Sequence, residues 1–205
     1  MNKFHLPKHT RLILSATGLF LCIVATLANA ENEPPVLITY SYEHDLLPKS
    51  GGKPLLTIFI NGNMRAIFPP YMKLAGIRQA QLNPDTLQKL NSLISISSLH
   101  SLSTETISEE LSLYQAQQEQ TSGSDQTVYA VMDSTTTIIE YYDPSNTNET
   151  ISGETSPAKK IVQKDLSTTT KQYPGVTTLQ QANNLKKMLQ KILDSSNWTL
   201  VGGNS

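Results

Sequence analysis

The chain has 205 residues, with 16 Lys+Arg against 17 Asp+Glu, and charged residues make up 16% of it, below the roughly 25% usual for globular domains. Positions 1–30 hold three of the basic and none of the acidic residues, so the remainder carries 13 − 17, or minus four, and this balance disfavours nucleic acid as a partner. Cys22 is the only cysteine, which excludes a disulfide framework and any cysteine-rich metal site.

Residues 1–30 have the order of a secretory signal peptide. Lys3, Lys8 and Arg11 form a basic region, Leu12 to Leu27 a mostly apolar one, and Ala28-Asn29-Ala30 the small-x-small pattern that a signal peptidase cuts. Cleavage after Ala30 is expected to leave a mature chain of 205 − 30 = 175 residues from Glu31. That chain would lack cysteine and any membrane span, and would reside in the periplasm or the medium. Its length suits one domain, 31–205.

Val36 to Tyr42 is rich in β-branched and aromatic residues and predicts a first strand. Leu55 to Ile60, Asn61-Gly62-Asn63 and Met64 to Phe68 predict a β-hairpin, with Asn-Gly supplying the tight turn, and Pro69-Pro70 ends it. Leu82-Asn83-Pro84-Asp85 has the chemistry of a helix start, with Leu87, Leu90 and Ile94 on one apolar face. Thr106 and Glu109 have the spacing of a capping box for a second helix, polar from Gln115 to Gln120. Thr127 to Met132 and Thr136 to Tyr142 predict a further hairpin around Asp133-Ser134-Thr135, and 143–158 a flexible loop.

Lys160 to Leu166 predicts another strand. Thr178 and Gln181 then open a helix with an apolar stripe of Leu179, Ala182, Leu185, Leu189, Ile192 and Leu193. Trp198 and Leu200 follow, placed to cover one end of the core. Strands, helix, strands, helix imply an α+β fold: an antiparallel sheet built from two β-hairpins plus flanking strands, covered by two or three helices.

Catalytic chemistry is sparse. After cleavage only His44 and His100 remain of the histidines, so a three-histidine zinc site is excluded. In Glu43-His44-Asp45, adjacent strand residues point to opposite faces and converge poorly on a metal. Glu109-Glu110 reads as a charged, solvated helix face, and Tyr40, Tyr42, Tyr141 and Tyr142 as core or cross-strand aromatics. No residue is assigned a catalytic or metal role, and nothing calls for a cofactor. The composition favours a non-enzymatic binding module with a protein or envelope partner. The alternative, an envelope or extracellular hydrolase, requires His44 or His100 beside a serine or carboxylate.

The loop Lys49-Ser50-Gly51-Gly52-Lys53-Pro54 and the hairpin tip Asn61-Gly62 are the expected partner-binding positions, because binding residues concentrate in loops on a rigid scaffold. A first strand, the Gly51-Gly52 loop, the Leu55–Ile60 strand running into Asn61-Gly62, and Leu82-Asn83-Pro84 opening a Leu-rich helix together resemble small exported bacterial proteins of unknown function. The order of strand, Gly51-Gly52 and hairpin is also similar to emfourin-type metallopeptidase inhibitors. That second resemblance implies protease inhibition, with no inhibitory residue carried over.

Overall fold

The computed structural model describes residues 33–44, 53–95, 102–121, 135–142 and 159–201. Residues 35–205 form one compact unit. The expected leader with Ala28 and Ala30, the strand 127–132 and the loop 143–158 lie outside the described residues.

Strands β1 (Val36–His44), β2 (Leu56–Phe59), β3 (Asn63–Phe68) and β4 (Gly76–Gln81) precede helices α1 (Pro84–Ser95) and α2 (Thr104–Thr121). Strands β5 (Thr135–Tyr141) and β6 (Lys159–Lys164) follow, then helices α3 (Leu166–Gln172) and α4 (Thr177–Ser195) and the two-residue strand β7 (Thr199–Leu200). The strands make one seven-stranded sheet in the order β6-β5-β1-β2-β3-β4-β7, and every neighbouring pair is antiparallel. The α+β architecture expected from the sequence is the one observed.

One correction concerns pairing. Strand β5 binds β1 along one side and β6 along the other. A strand has two hydrogen-bonding edges, so no edge is left for the expected hairpin with 127–132. The second hairpin is β5 with β6. Strand β4 was absent from the sequence expectation, because Gly-Ile-Arg-Gln-Ala-Gln has little apolar alternation; it forms by pairing with β3 from Asn63↔Gln81 to Phe68↔Gly76.

Register decides which side chains enter the core. Ile38 and Tyr40 of β1 align with Ile58 and Leu56 of β2, these with Met64 and Ala66 of β3, and Tyr40 with Ile139 of β5, which faces Ile161 of β6. All are buried in one cluster with Leu90 and Ile94 of α1, Ile107 of α2, Leu166 of α3 and Leu179, Ala182, Leu185 and Leu189 of α4. The helices thus cover one face of the sheet. Burial pushes the Tyr40 hydroxyl's pKa far up. Tyr141 is pushed up to about 12 by burial, and its hydroxyl donates to the Leu102 carbonyl at 2.6 Å.

Helix starts differ in how their free N–H groups are met. At α1 the expected cap forms: Asp85 N–H donates to Asn83 Oδ1 at 2.9 Å. At α2 the box lies three residues upstream of the expected one: Thr106 N–H donates to Ser103 Oγ (3.3 Å) and Ser103 N–H to Thr106 Oγ1 (2.9 Å). At α4 the box of Thr178 and Gln181 does not form, since the residue before the helix is Val176, without a side-chain cap. Its place is taken from another helix: Thr177 and Thr178 N–H donate to Glu110 Oε1 (2.7 Å) and Oε2 (2.9 Å).

Glu110 is therefore more than part of a solvated face. It belongs to a contact that ties α2 to the α3–α4 connection. Tyr114 meets Tyr173 edge to face with centroids 6.2 Å apart, and Gln115 Nε2 donates to the Tyr173 hydroxyl at 3.0 Å. Gly175 lies so close under the Tyr114 ring that any Cβ there would collide with it. This explains how a largely polar helix is held in place.

Burial alone would raise the pKa of Glu110, but hydrogen bonds from Thr178 and Thr177 outweigh it and hold the carboxyl below its ordinary value. Glu110→Ala is expected to cost about 1 kcal/mol, the usual worth of a cap, lowering Tm by about 3 °C for a domain of this size. Because the folded-state pKa is depressed, the contribution is complete above the ordinary value of 4.5 and disappears as pH falls through the lowered one. Urea midpoints of wild type and variant should therefore converge in acid. A difference unchanged from neutral pH down into acid would show that the carboxylate's charge plays no part.

Candidate functional site

Of the expected partner-binding residues, Lys49, Ser50, Gly51 and Gly52 lie outside the described residues. Lys53 and Asn61 are exposed, but Gly62 is buried. It holds φ +82, and a Cβ there would press on Gln81 Nε2 and Leu87. Gly62 also accepts from Leu82 N–H (2.8 Å), and Gln81 Nε2 donates to the Asn61 carbonyl (3.2 Å). The hairpin tip is thus fastened to the β4–α1 connection, with the Asn61 side chain exposed.

His44 ends β1, where its ring meets Tyr42 edge to face with centroids 5.7 Å apart. Its Nδ1 lies 3.2 Å from Thr135 Oγ1, while Thr135 N–H donates to the Asp165 carboxylate at 3.1 Å. Asp165 closes the β5–β6 end from a left-handed conformation, φ 47, which Asp tolerates better than most residues. His44 is thereby set beside Thr135. His100 and Asp45 lie outside the described residues. Among the described residues no three His, Cys, Asp or Glu side chains gather for a metal ion, and no described helix is long and apolar enough to cross a membrane.

The two edges of the sheet are built differently. A sheet edge presents unpaired N–H and C=O groups and is ordinarily blunted by charge or by covering groups. Strand β6 follows this rule: it carries Lys159, Lys160 and Lys164, and Thr104 Oγ1 of α2 accepts from Val162 N–H (2.8 Å) and donates to the Lys160 carbonyl (3.3 Å). The adjoining outer face is polar too. Glu140 joins Lys160 Nζ at 2.8 Å and accepts from Thr39 Oγ1 at 3.3 Å.

Among the described residues, strand β7 has neither protection. It spans two residues and pairs with β4 through Arg78↔Leu200 and Gln79↔Thr199, and the alignment continues where Val201 N–H donates to the Ile77 carbonyl (2.9 Å). Ile77 in turn pairs with Ile67, so Ile67, Ile77 and Val201 make an apolar row across the outer face. Leu200 projects to the other side, over Gly76. Ile77 is 46%, Leu200 52% and Val201 40% exposed, and Leu74 and Tyr71 of the β3–β4 turn are exposed as well. Leu200 was expected to cover the core. That task falls to Trp198, whose indole meets Phe68 edge to face and donates to the Leu193 carbonyl at 2.8 Å. Nothing in the sequence marks this edge except that Leu200 and Val201 follow the last helix.

Comparison with protein-family models, with curated proteins and with solved structures gave no match.

If Gly62 serves the fold, Gly62→Ala should destabilise by about 1–2 kcal/mol, the cost of left-handed backbone for an L-residue. Lys53→Ala and Asn61→Ser should stay within about 0.5 kcal/mol, as surface changes do. Chemical denaturation of the three variants checks this. A neutral Gly62→Ala would show that the fold does not depend on glycine at this left-handed position.

Proposed function

We propose that this chain is an exported binding module that takes an extended, apolar segment of a partner protein onto the β7 edge of its sheet. The contrast between the two edges carries this reading. One is guarded by lysines and by the Thr104 hydroxyl, while the other exposes Ile77, Leu200 and Val201 beside the short strand β7. Apolar side chains grouped at an edge suit strand addition, in which main-chain hydrogen bonds supply affinity and alternate side chains supply specificity. An extended peptide fits this surface better than a helix, since the exposed groups alternate above and below a strand. Export supports the same reading. The basic, apolar and small-x-small order of residues 1–30 would place the edge where envelope or extracellular partners are met.

Trp198, the only tryptophan, lies immediately before β7 and reports on this edge. Adding a Val- and Thr-rich peptide should shift its fluorescence, and the same peptide with proline at alternate positions should not, because proline cannot donate to a ladder. Leu200→Lys or Val201→Lys should weaken the interaction at least about tenfold, or 1.4 kcal/mol. Equal responses to both peptides would defeat strand addition. Self-association lost in Val201→Lys would make a second copy the occupant and overturn the partner assignment. Mass spectrometry of protein from its native host tests export: a mature N-terminus at Glu31 is expected, and retention of Met1 would refute cleavage.

A further inference from the structure

Helices α3 and α4 bring together a hydroxyl and an amine. Ser167 lies in the first turn of α3, and Asn183 and Lys186 are one turn apart on α4, so they share a face. Lys186 Nζ donates to Ser167 Oγ at 2.9 Å, and Ser167 Oγ donates to Asn183 Oδ1 at 3.2 Å. Asn183 is only 6% exposed, so the acceptor is fixed, whereas Ser167 and Lys186 are half-buried and reachable from solvent.

The surroundings favour loss of the amine's proton. Burial lowers the pKa of Lys186, and the charge of Asp165 opposes the shift only in part. The amine's hydrogen bond also goes to a neutral hydroxyl. Lys160, by contrast, sits 2.8 Å from the Glu140 carboxylate. A serine is a weak nucleophile until a neighbouring base can take its proton, and a desolvated lysine is one such base.

We propose that Ser167 and Lys186 form a nucleophile–base pair that accepts a small acyl group from a carboxylic ester. In its neutral form Lys186 Nζ becomes the acceptor: the Ser167 hydroxyl turns its single hydrogen from Asn183 Oδ1 to the amine, which takes the proton as Ser167 Oγ bonds to the ester's carbonyl carbon. The bond from that carbon to the alkoxy oxygen breaks, and the departing oxygen leaves as an alcohol with the proton from Lys186. The products are acyl-Ser167 and one alcohol, with no change of oxidation state. Asn183 is a positioning residue that holds Ser167 Oγ within reach of the amine. The half-buried hydroxyl restricts the acyl group to small ones, and this chemistry sits on a different element pair from the β7 edge.

The experiment treats the full chain with 4-nitrophenyl acetate, follows release of nitrophenolate, and maps the acetyl group by peptide mass spectrometry. Acetylation of Ser167 is expected, with the rate reduced about a hundredfold in Lys186→Arg, the usual scale of a lost general base. Arginine keeps the charge and the hydrogen bond to Ser167 but does not give up its proton, so this variant separates a base from an inter-helix clasp. Ser167→Ala should abolish the specific label while circular dichroism stays unchanged. Should Ser167→Ala fail to fold, Lys186→Arg decides alone. Acetyl groups on surface lysines only, or equal Ser167 labelling in wild type and Lys186→Arg, would overturn the proposal.

Discussion

Strand β1 is the element on which the rest of this fold depends. It comes first in the sheet's sequence order yet lies inside the sheet, with β2 on one edge and β5 on the other. Every contribution of β2, β3, β4 and β7 to the sheet reaches β5 and β6 through its backbone. The pairing of β1 with β5 joins residues about a hundred positions apart, as Thr39 and Glu140 do, so the closing of that long loop precedes any benefit from burying Ile139 and Ile161 against Tyr40 and Leu56. Tyr40 illustrates the consequence: its ring is sealed in the core, and removing its hydroxyl from water is what raises its pKa.

The helices answer the same constraint from the other side. The stripe of Leu179, Leu185 and Leu189 buries α4 in the core cluster, but a helix that starts at Val176 has no side chain of its own to meet its first N–H groups. Glu110 supplies both oxygens from α2. Tyr114 closing over Gly175 fixes the distance between α2 and the α3–α4 connection, so a helix whose fully buried core residue is Ile107 is held in addition by the Glu110 cap and two aromatic rings. The labour is thus divided, with apolar burial chiefly by α4 and polar clamping chiefly by α2.

How far the sequence discloses this depends on whether the deciding partner is local. The β2–β3 hairpin, the Asn83 cap and the α4 stripe were legible because turn chemistry, capping and period lie within a few residues of the groups they serve. The α4 cap was not, because Thr178 and Gln181 match the local pattern while the carboxylate that performs the task is 67 residues away. Strand β4 was hidden for a related reason, since Gln79 and Gln81 become strand residues only because Arg65 and Asn63 are already aligned beside them. The candidate surfaces follow the same rule. Lysines along β6 can be read off the chain, but their meaning as edge protection requires the strand order, and so does the lack of such protection at β7.

The Ser167–Lys186 pair shows what local reading omits even when both residues are in plain view. Neither stands in a recognisable spacing, and nineteen positions separate them. They meet because β6 ends at Asp165, whose left-handed backbone turns the chain straight into α3, and because Leu166 and Leu179 are both drawn into the core, bringing α3 against α4. Thr170 reinforces that approach, its hydroxyl donating to the Leu166 and Leu179 carbonyls. The hydrophobic effect, acting on leucines with no chemistry of their own, is thus what sets a hydroxyl beside a partly desolvated amine, and the same burial that assembles the pair also lowers the affinity of Lys186 for its proton.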